Sequence, residues 1–124
     1  MSDPIDELHD YLAALADMPE GLNIYPAPEE KLVAPALVIR PDPLWLRPDR
    51  MCFDLEGYNV IAAVTANSPA DGITVLRSMM LKIIAALPSP WRWTQVDGPV
   101  VDQSTGIPFL AARLRLEYKN GGPE

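Results

Sequence analysis

The side chains able to do chemistry are few and scattered. The 124-residue chain has one histidine and one cysteine. A hydroxyl or thiol nucleophile needs an adjacent base, most often histidine. His9 stands close to Asp6 and Asp10, on the solvent side of what reads as a helix, and is expected to be a surface histidine. Cys52 follows a proline-rich stretch and reads as a small buried hydrophobe rather than a reactive thiol. Carboxylates pair at Glu29 and Glu30, at Asp54 and Glu56, and at Asp97 and Asp102, a residue type able to do acid–base work or to hold a hard cation. Each pair falls in turn-like sequence, where solvation alone accounts for acidic residues, and no loop alternates oxygen ligands around a central glycine. Asp71-Gly72 opens a helix without the Gly-x-Gly or Gly-Lys-Thr surroundings of a phosphate loop. The reading is of a protein that is not an enzyme, with no catalytic residue, no cofactor and no metal.

Composition narrows the class further. A formal charge of −7 and a pI near 4.6 argue against a nucleic-acid binder, whose affinity comes largely from Lys and Arg displacing counterions from phosphates. Fourteen prolines and seven glycines stay below the roughly 25–30% at which disorder is expected, so the prolines should punctuate an ordered domain. The length suits one domain, residues 1–124. A single cysteine allows no intramolecular disulfide and suggests a reducing compartment. The acidic start lacks the basic region and apolar run of a signal peptide, and the longest apolar runs, Val60 to Val64 and Ile83 to Leu87, are too short to span a bilayer. A soluble protein with no membrane segment is expected.

The elements that must position these residues follow from spacing. Asp3 can cap a first helix, Pro4 suits its first turn, and Ile5, Leu8, Leu12 and Leu15 share one face until Pro19 and Gly21 end it. Leu22 with Ile24, and then Ala36 to Ile39, read as two short strands around a charged turn, Ala27 to Ala34. Pro41 to Arg50 reads PDPLWLRPDR, whose three prolines forbid a helix or a central strand and predict an extended, exposed connection or hairpin tip. Tyr58, Val60, Ala62 and Val64 alternate with Asn59, Ile61, Ala63 and Thr65, and both sets are apolar enough to predict a central strand.

Ser68 caps a long helix to Leu87, with Pro69 in the first position and Asp71 completing a capping box. Its apolar stripe is Ile73, Leu76, Met80, Ile83 and Leu87, widened by Met79 and Ile84, while Thr74, Arg77, Ser78 and Lys82 face away. Trp91 to Val101 and Pro108 to Lys119 then read as strands joined by the turn Asp102 to Gly106. In the last strand Leu110, Ala112, Leu114, Leu116 and Tyr118 share one face, with Arg113, Arg115, Glu117 and Lys119 on the other. Residues 119–124 are expected to be a flexible tail. The order α-β-β-β-α-β-β predicts an α+β fold, a mostly antiparallel sheet of about 4–5 strands carrying the long helix on one face beside the short N-terminal helix.

Three tryptophans remain. Trp91 and Trp93 are expected to wrap the end of the long helix at the rim of the core. Trp45, isolated among prolines and flanked by Leu44, Leu46, Arg47 and Arg50, is hard to bury locally; it either packs on its own sheet or meets a partner. Aromatic and arginine side chains are enriched at interface hot spots, so Trp45, Arg47, Asp49 and Arg50 are the candidate subunit interface.

A family likeness covers nearly the whole chain. The helix ending Leu-Arg-Ser-Met-Met-Leu-Lys-Ile-Ile-Ala-Ala-Leu-Pro, the following Trp91-Arg-Trp-Thr, the Val-Asp-Gly-Pro step and the closing Phe109-Leu-Ala-Ala-Arg-Leu-Arg-Leu-Glu-Tyr strand resemble the tail terminator proteins of long-tailed bacteriophages. The short N-terminal helix and the Ala-Pro-Ala-Leu-Val-Ile strand fit the same pattern. The resemblance implies a structural virion protein that forms a homohexameric ring, caps the tail tube and ends its polymerisation, and offers a joint to the head. Its implied partners are further copies of itself, the major tail tube protein and the head-tail connector protein, with DNA passing through without sequence-specific binding. Its implied location is the head-proximal end of the virion tail, after assembly in the host cytoplasm. Neighbouring head-tail joining components are built similarly and stay open as an alternative, as does a small-molecule-binding α+β module with an apolar cavity beneath the long helix.

Overall fold

A computed structural model of the chain describes residues 4–16, 18–19, 21–25, 34–48, 53–65, 69–85, 87–88, 91–102 and 109–121. Among these, two helices and five strands follow in the order α1 (Pro4–Ala13), β1 (Asn23–Tyr25), β2 (Ala36–Pro48), β3 (Phe53–Val64), α2 (Pro69–Ala85), β4 (Trp91–Asp102) and β5 (Phe109–Gly121). The fold is α+β, with both helices on one face of a single mixed sheet.

The strand order is β1-β2-β3-β5-β4. β3 is central, as the two apolar faces of Tyr58 to Thr65 require. Its register runs unbroken against β5 from Phe53↔Gly121 to Val64↔Leu110. The pairing is antiparallel everywhere except between β1 and β2, which run parallel with Ile24 opposite Leu37. The ten residues 26–35 between those strands bring the chain back to the same end of the sheet, a return that a tight hairpin cannot make.

Two expectations at strand ends need correction. β2 continues through the proline-rich stretch to Pro48, and β5 continues through Lys119 and Asn120 to Gly121, where a flexible tail was expected. The prolines are tolerated because β1 flanks β2 only from Ala36 to Val38, so further along β2 has an open side that needs no amide donors. Lys119 to Gly121 are held by the β3 residues Leu55 to Phe53, which the same hairpin brings alongside.

One face of the sheet is the core. Leu37 and Ile39, Tyr58, Val60 and Ala62, Leu114 and Leu116, and Trp91 are buried against Leu8 and Leu12 of α1 and Leu76, Met79, Met80 and Ile83 of α2. Burial of side chains this size is worth roughly 1.5–3 kcal/mol each. α1 forms because Leu8 and Leu12 align one turn apart and Asp6 and Glu7 complement the positive helix start. It is tied to α2 by Tyr11, whose hydroxyl donates to the Ile83 carbonyl at 2.8 Å, one of the last carbonyls of α2 that has no partner within the helix.

The buried line of α2 follows the expected stripe, with Ile84 and Leu87 packed beside it, except at Ile73. Gly72, Leu76, Met79, Met80 and Ile83 face the sheet, whereas Ile73 is 44% exposed and Leu81 is 47% exposed. The expected caps Asp3 and Ser68 lie outside the described residues.

Candidate subunit interface

The β2–β3 hairpin carries the candidate interface. Pro41 pairs with Tyr58 and Leu46 with Glu56, so β2 spends residues 42–45 where β3 spends only Gly57. Such a bulge re-aims the strand. Asp42 folds over the sheet face opposite the helices, where its Oδ2 accepts from the Asn59 side-chain amide at 2.9 Å. Trp45, in the bulge, is 45% exposed and Leu46 is 63% exposed. More than half of the Trp45 surface is thus covered within the subunit, and the rest is open to solvent. Arg47 follows in β2, its backbone opposite Leu55. Asp49 and Arg50 lie outside the described residues, as do Cys52 and the Glu29–Glu30 pair.

The sheet face away from the helices is a charged network that the sequence placed only in part. Arg113 donates to Asp97 Oδ2 from Nη2 at 2.8 Å and from Nε at 3.2 Å, and Gln95 donates to Asp97 Oδ1 at 2.6 Å. Arg115 Nε stands 3.2 Å from the same Asp97 oxygen, as an ion pair without hydrogen-bond geometry. Arg113's hydrogen bonds, then Gln95's, and the charge of Arg115 hold the Asp97 carboxyl below its ordinary value. Arg92 grips Glu117 Oε1 at 3.2 Å nearer the other end of the strands. Arg40, Ile61, Val100 and Ala111 complete a shallow cleft of about 510 Å³ beside this network.

The candidate chemistry does not converge. Asp97 lies in β4 and Asp54 and Glu56 lie in β3, correcting the expectation that these carboxylates sit in turns. Asp97 is engaged by arginines, and buried Glu56 accepts the Tyr58 hydroxyl at 3.0 Å while its Oε2 accepts no hydrogen bond. Burial first, and then the carboxylates of Glu7 and Glu56, push the Tyr118 phenol above its ordinary value. His9 is a partly exposed helix residue with its Nδ1 3.6 Å from Asp10. Among the described residues, no three His, Cys, Asp or Glu gather as a metal site, and no helix is long and apolar enough to cross a membrane.

The tryptophans divide differently from expectation. Trp91 is in the core, not at its rim, and its ring packs between Tyr58 at 5.6 Å and Tyr118 at 4.8 Å. Trp93 does lie at the rim beside α2 and is 48% exposed. With Val96 and Pro99 of β4, and Ile73, Met80, Leu81 and Ile84 of α2, it lines an apolar groove of about 400 Å³. This groove opens along α2 and runs in to Leu76, Met80 and Ala112 between helix and sheet, while Met79 is sealed in the core.

Sequence reasoning missed the groove because β4 does not keep a period of two. Thr94 is one extra residue between Trp93 and Gln95, and Gly98 and Pro99 stand against the single Ala112 between Asp97 and Val100, again one extra. The first irregularity puts Trp93 and Val96 on the helix side together, and the second lies where Gly98 and Pro99 line the groove. Gly98 is required there: its φ is +106°, and a Cβ would stand 3.0 Å from the Ala111 carbonyl oxygen. The Val-Asp-Gly-Pro step was the available signal, since Gly inside a strand marks a bulge or a close backbone approach. No family model matches this chain, and a search of curated proteins finds no significant match to it.

Proposed function

We propose that this chain is the ring-forming subunit of a phage tail terminator, a structural protein that caps the tail tube and joins it to the head. The observation that carries the reading is the bulged β2–β3 hairpin, bonded firmly to the sheet yet holding Trp45 and Leu46 out in solvent. The open part of the indole, next to exposed Leu46, is an apolar surface of the kind that subunit interfaces are built around. The scattered chemistry supports an assembly role over an enzymatic one, and the charge of −7 suits a wall along which DNA slides without sticking. In this reading the partners are identical subunits, the tail tube protein and the head-tail connector, and the place is the head-proximal end of the tail.

The test is the mass of the purified protein in solution together with electron micrographs. Six-subunit rings with a central channel, able to stop growth of tail tubes, are expected. A protein that stays monomeric alone and in the presence of tubes would overturn the reading. Purification on connectors but not on tubes would favour the neighbouring head-tail joining role. A second reading, a small-molecule-binding module, draws on the groove beside α2, whose volume falls within the roughly 300–1,000 Å³ of ligand pockets. A monomer carrying a bound apolar ligand would support it.

A further inference from the structure

On the sheet face away from the helices, Arg40 of β2 stands across Asn59 from Arg115 of β5, and Arg113 lies two residues earlier in β5. Asp97 takes Arg113 and Arg115, and Asp42 stands 4.0 Å from Arg115. Arg40 makes no ion pair or hydrogen bond among the described residues. Arg113 spends Nε and Nη2 on one oxygen of Asp97, and its Nη1 makes no hydrogen bond among those residues. We propose that the cleft of about 510 Å³ lined by Arg40 and Arg113 is a binding site for a small organic acid, a single carboxylate on an aliphatic body.

Charge picks the head of the ligand. Arg113 and Arg115 are answered by Asp97 and Asp42, so Arg40 leaves a positive charge unanswered on this face of a chain that is −7 as a whole. A guanidinium presents its donors as a planar fork that fits both oxygens of a carboxylate. One carboxylate balances the excess, whereas a doubly charged phosphate would exceed it and stand against Asp97. The chain's own carboxylates do not fill the place. Asp97 is drawn to the β5 arginines and Asp42 to Asn59 and Arg115, and neither comes within ion-pair distance of Arg40.

Shape picks the body. Ile61 and Ala111 line the cleft between the two arginines, Val100 lines it while 61% exposed, and Gly98 adds no side chain to fill it. The volume falls within the roughly 300–1,000 Å³ of ligand pockets and exceeds the roughly 150 Å³ that holds a benzene ring, which leaves room for several carbons behind the carboxylate. An aliphatic chain laid there takes its own surface and that of Val100 out of water. The apolar groove along α2 opens on the helix side of the same sheet, so the residues around each site tell the two apart.

The test titrates the full chain with sodium hexanoate, read by calorimetry and by nuclear magnetic resonance of the backbone amides, with acetate, inorganic phosphate and hexylamine beside it. Saturable hexanoate binding is expected, with shifts at Ile61, Ala111 and Arg113. Acetate and phosphate are expected to bind about tenfold or more weakly, and hexylamine not at all. Arg40→Gln, at a partly exposed position, should keep the native circular dichroism and bind hexanoate about tenfold or more weakly, with Arg40→Lys between the two. Asp97→Asn should bind hexanoate more tightly, because the competing carboxylate is gone and Arg113 is released. Failure to saturate, shifts gathered around Leu81 and Trp93 instead, phosphate binding as tightly as hexanoate, or unchanged affinity in Arg40→Gln would each overturn the proposal. Absence of hexanoate binding together with loss of self-association in Arg40→Gln would overturn it too, and would assign this face to a subunit contact.

Discussion

Trp91, the first residue of β4, and Tyr118 of β5 are register partners whose rings pack at 4.8 Å and 57°. Tyr58 of β3 closes on the other side of the same indole at 5.6 Å. Three strands are thus joined through one side chain. Trp91→Ala is expected to lower stability by about 3–5 kcal/mol, the usual cost of emptying such a site. Trp93→Ala, at the half-exposed rim, should cost much less. Urea denaturation of the two variants beside wild type checks the contrast.

Trp45→Ala should leave the denaturation midpoint of the subunit near wild type, because no buried element rests on it, and weaken ring formation or tube capping by about 2 kcal/mol or more. Particles made with it should carry overlong tails that fail to join heads. A melting temperature lowered by many degrees with normal rings would make Trp45 a structural residue.

The Asp97 carboxyl is held below its ordinary value, so its arginine contacts stabilise the fold fully above the unfolded value of about 3.9 and are lost as pH falls through the lower folded value. Asp97→Asn should therefore be less stable than wild type at pH 6 and show a smaller loss on acidification. Melting curves of both proteins between pH 6 and pH 2 should converge at the acid end.

Tyr11→Phe removes the hydroxyl that donates to Ile83 and should cost about 0.5–1.5 kcal/mol, with faster amide exchange in α1 than in β3. Burial raises the Tyr11 phenol, so the wild-type side chain should ionise only above about pH 10 in an ultraviolet titration. A phenol titrating at its free value would mean that α1 is not docked.

The free protein should show little affinity for duplex DNA at physiological salt, since seven excess negative charges repel the phosphates. A micromolar, steeply salt-dependent complex would sink the picture of a non-sticking channel.

The sequence was most legible where a single period governed a whole element. Val60, Ala62 and Val64 alternating with Ile61 and Ala63 placed β3 at the centre, and the Leu110 to Tyr118 alternation separated the core face of β5 from its charged face. It was least legible where neighbours overrode local rules. Proline density argued for an extended, exposed connection or hairpin tip after Pro41, but pairing with β3 on one side and an open edge on the other made it strand. The parallel β1 depends on a return path that no local pattern encodes. Among the candidate interface residues, Trp45 could be singled out from its isolation among prolines, and it is 45% exposed. The groove could not, because it arises from the bulges in β4 acting together with the neighbouring flank of α2.

The bond from Tyr11 to Ile83 spans 72 residues of chain. During synthesis α1 is followed first by β1 and β2, the strands it packs against, and only later by α2. At about 5–20 residues per second Ile83 is added roughly 4–14 s after Tyr11. That interval is long compared with the microsecond scale on which isolated helices form and melt, so the tie from α1 to α2 closes late, over contacts that the first strands already offer.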